Sequence, residues 1–351
     1  MKILHIAPIG SFQEGIGTVL NNLVPLQIEL GNDVRIISQF DNHIYRDLPI
    51  KTIRSINSFK RYLCNWVPDI VIFHSLYEMI YLSFARIVKS IGIPYCIQMH
   101  GALSMENYKK GHIKKLIANI LWFNSFIKKA SKIIYLNQSE FDKCVVNKLN
   151  PSYVIIPNGT NTSIDIDVNR IVNEFIKIIY IGRIDIINKG LDVLVQALKI
   201  ISECTDEKFK IIFYGSGTSK DVDTFKNCIS SISDIAEYKG ELYGKEKKEC
   251  LLSSDMYILT SRSEGMPMGV LEALSHGLPC ILTPGTNMTD EIKMFNAGFC
   301  TDLDPTCIAD VISFAIKSYK NNPIEYRKNA IRLAKKFDWH NIAKESIRML
   351  Y

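Results

Sequence analysis

Short β-branched runs alternate with longer amphipathic stretches along most of this chain, in two successive series. No other feature restricts the fold as much. Strand, crossover helix and parallel strand in repetition have one common solution, a doubly wound parallel sheet covered on both faces. In the first series the pattern predicts strands over 2–7, 33–38, 69–73, 95–99, 132–136 and 153–156. It also predicts a helix from Gly15 to Leu30, stopped by Gly31 and Asn32. After a polar stretch over 158–173, the second series predicts strands over 176–181, 210–214, 256–260 and 279–282. Helices are expected over 191–203, 245–252 and 269–276, and from Asp304 the pattern is helical to the end. The expected class is α/β, with two Rossmann-like doubly wound domains joined near residue 160. A chain of 351 residues suits two cores better than one.

Composition narrows the setting. Apolar residues make up 47% and charged residues 22%, ordinary values for a globular protein. The first residues break on Pro8 and Gly10 and do not read as a secretion signal. The apolar stretch 116–127 is too short to span a bilayer. The nine cysteines include no CxxC pair and read as reduced thiols rather than a zinc site or disulfide framework. A cytoplasmic protein is expected, and no nucleic-acid partner. The net charge of +6 is uneven, +8 over 1–160 and −2 over 161–351, which points to an anionic partner of the first half. Residues 107–139 contain no acid, and Lys109, Lys110, Lys114, Lys115, Lys128, Lys129 and Lys132 surround an apolar run with Trp122, Phe123 and Phe126. Such a stretch suits peripheral adsorption to an anionic membrane. A core helix with solvated lysines accounts for it equally well.

In doubly wound sheets ligands sit outside the carboxyl ends of the strands, so chemistry is expected in the loops that follow them. After the strand ending near Thr260 comes Ser261-Arg262-Ser263-Glu264-Gly265-Met266-Pro267-Met268, where a helix opens. Unpaired N–H groups at a helix start suit an anion or a sugar hydroxyl. Glu264 precedes the turn and Glu272 lies about one turn into the helix, so both carboxylates can face one cleft. A fixed carboxylate holding sugar hydroxyls gains about 1.5–3 kcal/mol per bond. The triplets Asp165-Ile166-Asp167 and Asp302-Leu303-Asp304 fall in a linker and near a helix start, so capping explains them better than metal binding. Gln13-Glu14-Gly15-Ile16-Gly17-Thr18 opens the first helix with small residues that let amides approach a ligand, but it lacks the full GxGxxG of dinucleotide binders.

The segment from Asp255 through Glu264 and Glu272 to Met288 resembles the E-x7-E signature of the retaining family 4 glycosyltransferases of the GT-B fold, in the bacterial surface-polysaccharide type. The resemblance extends over nearly the whole chain. It implies two domains facing across a cleft: 1–160 on the acceptor side, 161–336 binding the nucleotide sugar, and a helix over 337–351 returning to the first domain. Tyr180-Ile181-Gly182-Arg183-Ile184-Asp185 and Asn188-Lys189-Gly190 look like the strand-end motif whose cations, here Arg183 and Lys189, grip the donor diphosphate. Two fixed cations can stabilise a departing diphosphate without a metal.

By the same resemblance Glu264 and the turn Gly265-Met266-Pro267-Met268 hold the donor sugar, and Glu272 holds ribose hydroxyls. His100, followed by Gly101, contacts the sugar. Gly15 and Gly17 resemble the family's GGxG loop, with Glu14 where a glycine is usual. His74 is a weaker candidate for a cleft contact, and Asn158 is read as part of an inter-domain turn. The implied activity is that of a hexosyltransferase. It moves a hexose or N-acetylhexosamine from a nucleotide diphosphate sugar, UDP-linked or as GDP-mannose, to a glycan or lipid-linked acceptor. No metal and no cofactor are expected. A non-catalytic sugar-nucleotide-binding subunit of an assembly complex is the alternative.

Overall fold

The computed structural model describes residues 1–10, 15–42, 44–101, 118–162, 166–171, 174–204 and 207–350. Gln13, Glu14, Lys109, Lys110, Lys114, Lys115 and Asp165 lie outside the described residues. The chain divides into two compact units, Met1–Gly159 with Trp339–Tyr351, and Thr160–Asp338.

The first unit is built on a seven-stranded parallel sheet in the order β3-β2-β1-β4-β5-β6-β7. Its strands are β1 (Lys2–Ile6), β2 (Asp33–Ser38), β3 (Ile50–Thr52), β4 (Ile70–His74), β5 (Tyr95–Gln98), β6 (Lys132–Tyr135) and β7 (Tyr153–Ile155). The central β4 reads Ile-Val-Ile-Phe-His and is buried throughout, as a strand covered on both faces must be. Its helices are α1 (Gly15–Glu29), α2 (Ile56–Asn65), α3 (Met79–Ser90), a π-helical turn Asn119–Phe123 running into α4 (Asn124–Lys129), and α5 (Gln138–Lys143). Within the basic stretch 107–139 the described helical residues are 118–129 and the first two residues of α5. The later part of that stretch supplies β6, an inner strand of the sheet, and α5.

The second unit has a six-stranded parallel sheet in the order β10-β9-β8-β11-β12-β13. These strands are β8 (Ile176–Ile181), β9 (Phe209–Tyr214), β10 (Ala236–Tyr238), β11 (Met256–Leu259), β12 (Cys280–Leu282) and β13 (Gly298–Cys300). Ile178, Ile179 and Tyr180 have no exposed surface, and burying each of the two isoleucine side chains contributes about 1.5–3 kcal/mol. The helices are α6 (Leu191–Cys204), α7 (Ser219–Ile229), α8 (Gly244–Leu252), α9 (Met268–Ser275), α10 (Thr289–Phe295), α11 (Pro305–Asn321) and α12 (Pro323–Lys336). Asp304 caps α11, accepting from the amides of Thr306 and Cys307. The last helix, α13 (Trp339–Leu350), belongs to the first unit, where it packs on α1.

In each sheet the first strand of the unit lies between its second and fourth. The chain therefore reverses its winding beside β1 and β4, and again beside β8 and β11. Crevices at such switch points are where open α/β sheets bind ligands. Among the described residues no helix is long and apolar enough to cross a membrane.

Candidate functional site

At the switch point of the second unit, two strand-end loops are stitched together by hydrogen bonds. The Thr260 hydroxyl after β11 donates to the carbonyls of Lys189 and Gly190, and the Arg262 amide donates to the Asn188 carbonyl. The Arg262 guanidinium grips both oxygens of Asp192 at 2.7 and 2.8 Å. Gly190 has φ +64°, and a Cβ there would lie 2.0 Å from the Thr260 carbonyl oxygen, so only glycine permits this approach. The result is a fixed stem for Lys189, whose Nζ reaches Glu264 Oε1 at 2.5 Å. Ser261 Oγ donates to the same oxygen at 2.5 Å. The Glu264 backbone is held as well, its amide donating to the Gly285 carbonyl and its carbonyl accepting from Asn287 Nδ2. Asn287 is itself left-handed, at φ +57°.

Gly265 and Met266 lead from Glu264 to Pro267, the N-cap residue of α9. Gly269 brings the helix start against β8: a Cβ there would meet the Tyr257 hydroxyl at 2.5 Å, and that hydroxyl donates to the Ile181 carbonyl. Met268 therefore opens a helix aimed at the switch point, with the positive end of its dipole there. Glu272, one turn on, is half-buried, and its Oε2 pairs with Lys247 of α8 at 2.5 Å. Arg183 stays largely exposed, leaning on Asp185 at 3.1 Å. Asp185 also fixes the Asn188 amide at 3.1 Å, so Arg183 and Lys189 share one hydrogen-bonded loop.

In the first unit His100 follows β5 in a left-handed conformation, φ +48°, with Gly101 next at φ +75°. Strained positions of this kind persist only where surroundings enforce them. The enforcing group is Glu140 of α5, a buried carboxylate that accepts from the amides of Gly101 and Leu136, each at 2.5 Å. Burial pushes the Glu140 carboxyl up to about 7, against those two bonds. The Nε2 of His100 is taken by His74 Nδ1 at 3.0 Å. Of the small residues opening α1, Gly17 is buried with its Cα against the Tyr45 ring, where a Cβ would come within 2.6 Å, while Gly15 faces open space.

Residues 161–337 match the family model "Glycosyl transferases group 1". The chain belongs to the group 1 glycosyl transferases. It is 31% identical over 105 residues to the putative teichuronic acid biosynthesis glycosyltransferase TuaC of Bacillus subtilis, a match covering 30% of this chain and about a quarter, 24%, of that one. It is 25% identical over 349 residues to the uncharacterized glycosyltransferase MJ1059 of Methanocaldococcus jannaschii, covering 85% of this chain and 82% of that one. Among solved structures it resembles Anabaena HepE in complex with UDP, with a TM-score of 0.77 at 15% identity over 100% of this chain and 99% of that one. That likeness is one of fold, and with it the α/β GT-B class expected from the sequence holds.

In this glycosyltransferase the structure joins Lys189 directly to Glu264 and sets Gly265, Met266, Pro267 and Met268 beside them, with Glu272 one helical turn away. His100, Gly15 and Gly17 lie in the other unit. Sequence reasoning missed four groups that hold these residues: Ser261 and Asn287 on Glu264, Lys247 on Glu272, and Glu140 on the His100 corner. It also missed His5 and Gln27, both without exposed surface, which continue inward from His74. A buried polar residue in a strand was the available signal for His5, since such groups persist only when partnered.

Proposed function

We propose that this glycosyltransferase moves a hexose or N-acetylhexosamine from a nucleoside diphosphate sugar to a glycan or lipid-linked acceptor of a surface polysaccharide, with retention and without a metal ion. The observation that carries the reading is the Lys189–Glu264 pair at a parallel-sheet switch point, beside the start of α9. A diphosphate leaving group gains negative charge as the bond to the sugar breaks. Lys189 and the exposed Arg183 are the cations that stabilise it, and Glu264 with the turn 265–268 binds sugar hydroxyls. Glu272 holds the ribose through the oxygen Lys247 leaves open. His100 and the Gly15/Gly17 loop approach the sugar from the first domain, in the facing arrangement of domains 1–160, 161–336 and 337–351. In the reaction the bond from the anomeric carbon to the phosphate oxygen breaks, and the acceptor oxygen bonds the same face of that carbon. The acceptor proton passes to the departing phosphate oxygen.

HepE, solved with UDP and with UDP-glucose, supports a uridine donor, with GDP-mannose the second choice. TuaC, named for teichuronic acid biosynthesis, supports a polysaccharide acceptor. A cavity of about 380 Å³ in the first unit supports peripheral membrane contact at the inner face: Arg86, Lys89 and Lys129 surround exposed Leu121 and Trp122. The purified protein is to be screened against a panel of nucleotide sugars with and without chelator. Hydrolysis or transfer that survives the chelator, and that Lys189→Ala and Glu264→Ala abolish with circular dichroism unchanged, is the expected result. Full turnover by either variant removes the site assignment. Donor binding without any turnover favours a non-catalytic subunit instead.

A further inference from the structure

Three histidines and an amide form one unbroken buried chain in the first unit. It begins at Ser346 of α13, whose Oγ donates to the Ala343 carbonyl at 2.8 Å. Gln27 Nε2 of α1 donates to that Oγ at 3.3 Å. Gln27 Oε1 lies 3.0 Å from His5 Nε2, His5 Nδ1 lies 2.8 Å from His74 Nε2, and His74 Nδ1 lies 3.0 Å from His100 Nε2. Strand register produces the chain. His5 is level with Ile72 and His74 with Gln98, so each successive histidine stands two residues further along the neighbouring strand, on the same face.

Each link holds one proton, and the amide end sets its direction. The single Ser346 proton is committed to Ala343, so Ser346 Oγ must accept, and Gln27 presents its NH₂ there and its oxygen to His5. His5 Nε2 then carries the proton and its Nδ1 accepts from His74 Nε2. His74 Nδ1 in turn accepts from His100 Nε2. Reversal would oblige the Ser346 hydroxyl to leave the Ala343 carbonyl and donate to Gln27 Oε1 instead, a bias on the order of tenfold. Burial keeps the chain neutral, drawing His5 and His100 down to about 4 and His74 well below its ordinary value.

We infer that Ser346, Gln27, His5 and His74 are positioning residues that fix the tautomer of His100, with the proton on Nε2 and a lone pair on Nδ1. Among the described residues that Nδ1 has no hydrogen-bond partner. It is an acceptor offered to a group that donates. On the proposed function, that group is a sugar hydroxyl, and a donor bearing a carboxylate at the same position is refused.

The test is nuclear magnetic resonance of the full chain carrying isotope-labelled histidine, with no donor present, reading the tautomer from long-range nitrogen–proton couplings. The wild type is expected to show His100 protonated at Nε2 alone. Ser346→Ala frees the Gln27 amide and yields a mixture of both tautomers. Gln27→Glu draws a second proton onto His5, whose Nδ1 then donates, so every link inverts and the His100 proton moves to Nδ1. In turnover, Ser346→Ala raises the donor KM about threefold and leaves kcat within about twofold. A His100 protonated at Nδ1 in the wild type, or one unmoved by Gln27→Glu, overturns the inference. Because the tautomer is read without substrate, the relay and the donor assignment fail separately: the expected tautomers with no sugar nucleotide consumed sink only the latter.

Discussion

Acidification is expected to destabilise the first unit selectively, and the histidine chain sets the amount. Burial draws His5 and His100 from 6.5 to about 4 and moves His74 the same way. A lowered imidazole value means that the unfolded chain binds protons the folded chain refuses, between about pH 6.5 and 4, so stability falls as pH falls through that window. From pH 7 to pH 5, linkage gives a loss of about 2 kcal/mol for each of His5 and His100. His74 adds a loss of the same sign. Glu140 opposes them, because a carboxyl raised from 4.5 to about 7 destabilises the fold as pH rises through that interval. Returning to pH 5 recovers about 2 kcal/mol from it. Glu78, raised by burial, acts in the same direction as Glu140. The net expectation is a loss of about 2 kcal/mol, or a fall of roughly 1 M in the urea midpoint for a unit of this size. Tryptophan fluorescence isolates it, since Trp66, Trp122 and Trp339 are the only tryptophans and all lie in the first unit. A tryptophan-detected midpoint that stays level or rises between pH 7 and pH 5 would refute the reasoning.

Three further outcomes are expected. Gly190→Ala places a Cβ 2.0 Å from the Thr260 carbonyl at φ +64°, so the Lys189 loop must shift; a loss of at least about 2 kcal/mol in thermal unfolding and a collapse of turnover should accompany it. Glu140→Gln turns an acceptor of two backbone amides into a group whose NH₂ faces one of them, costing about 1–3 kcal/mol in a denaturant titration; wild-type stability in this variant contradicts the hydrogen-bond account of the His100 corner. A double-mutant cycle of Lys189→Met with Glu264→Gln should return about 1–2 kcal/mol of coupling in the stability of the second unit, because both side chains are more than four-fifths buried; strict additivity would mean the pair is not formed in solution.

Much of the second unit was readable from the chain, and the reason is local. Strand β11, the loop through Glu264 and helix α9 are consecutive in sequence, so periodicity alone places the carboxylates near a helix start. Lys189 follows β8 in the same manner. Features that depend on register were not readable. His5, His74 and His100 meet only because β1, β4 and β5 are neighbours with successive offsets of two residues, and Ser346 reaches Gln27 across 319 positions of chain. The edge strands β3, β10 and β13 also escaped. Each has three residues and is only partly buried, too short to show a period. Lys247 on Glu272 is a contact between faces of different helices, which no spacing along the chain announces.

The contrast between the two switch points follows from what each would have to bind. On the proposed function a departing diphosphate needs charge that is already in place, and the cations the second unit offers for it are Lys189, paired with Glu264, and Arg183, paired with Asp185. A carboxylate can serve as a sugar acceptor there because Ser261 and Lys189 already compensate one of its oxygens. A carboxylate in place of the His100 imidazole would lack such compensation. An imidazolium there would donate from both nitrogens and offer no lone pair. A neutral imidazole with a defined lone pair avoids both, but a solvated histidine titrates near neutrality and exchanges its tautomers freely. Burial keeps this one uncharged, and a polarised chain ending on an amide holds its proton on one nitrogen. The five buried or half-buried groups from His100 back to Ser346 are therefore the means by which a residue ordinarily ambiguous in charge and in hydrogen-bond direction is made unambiguous in both.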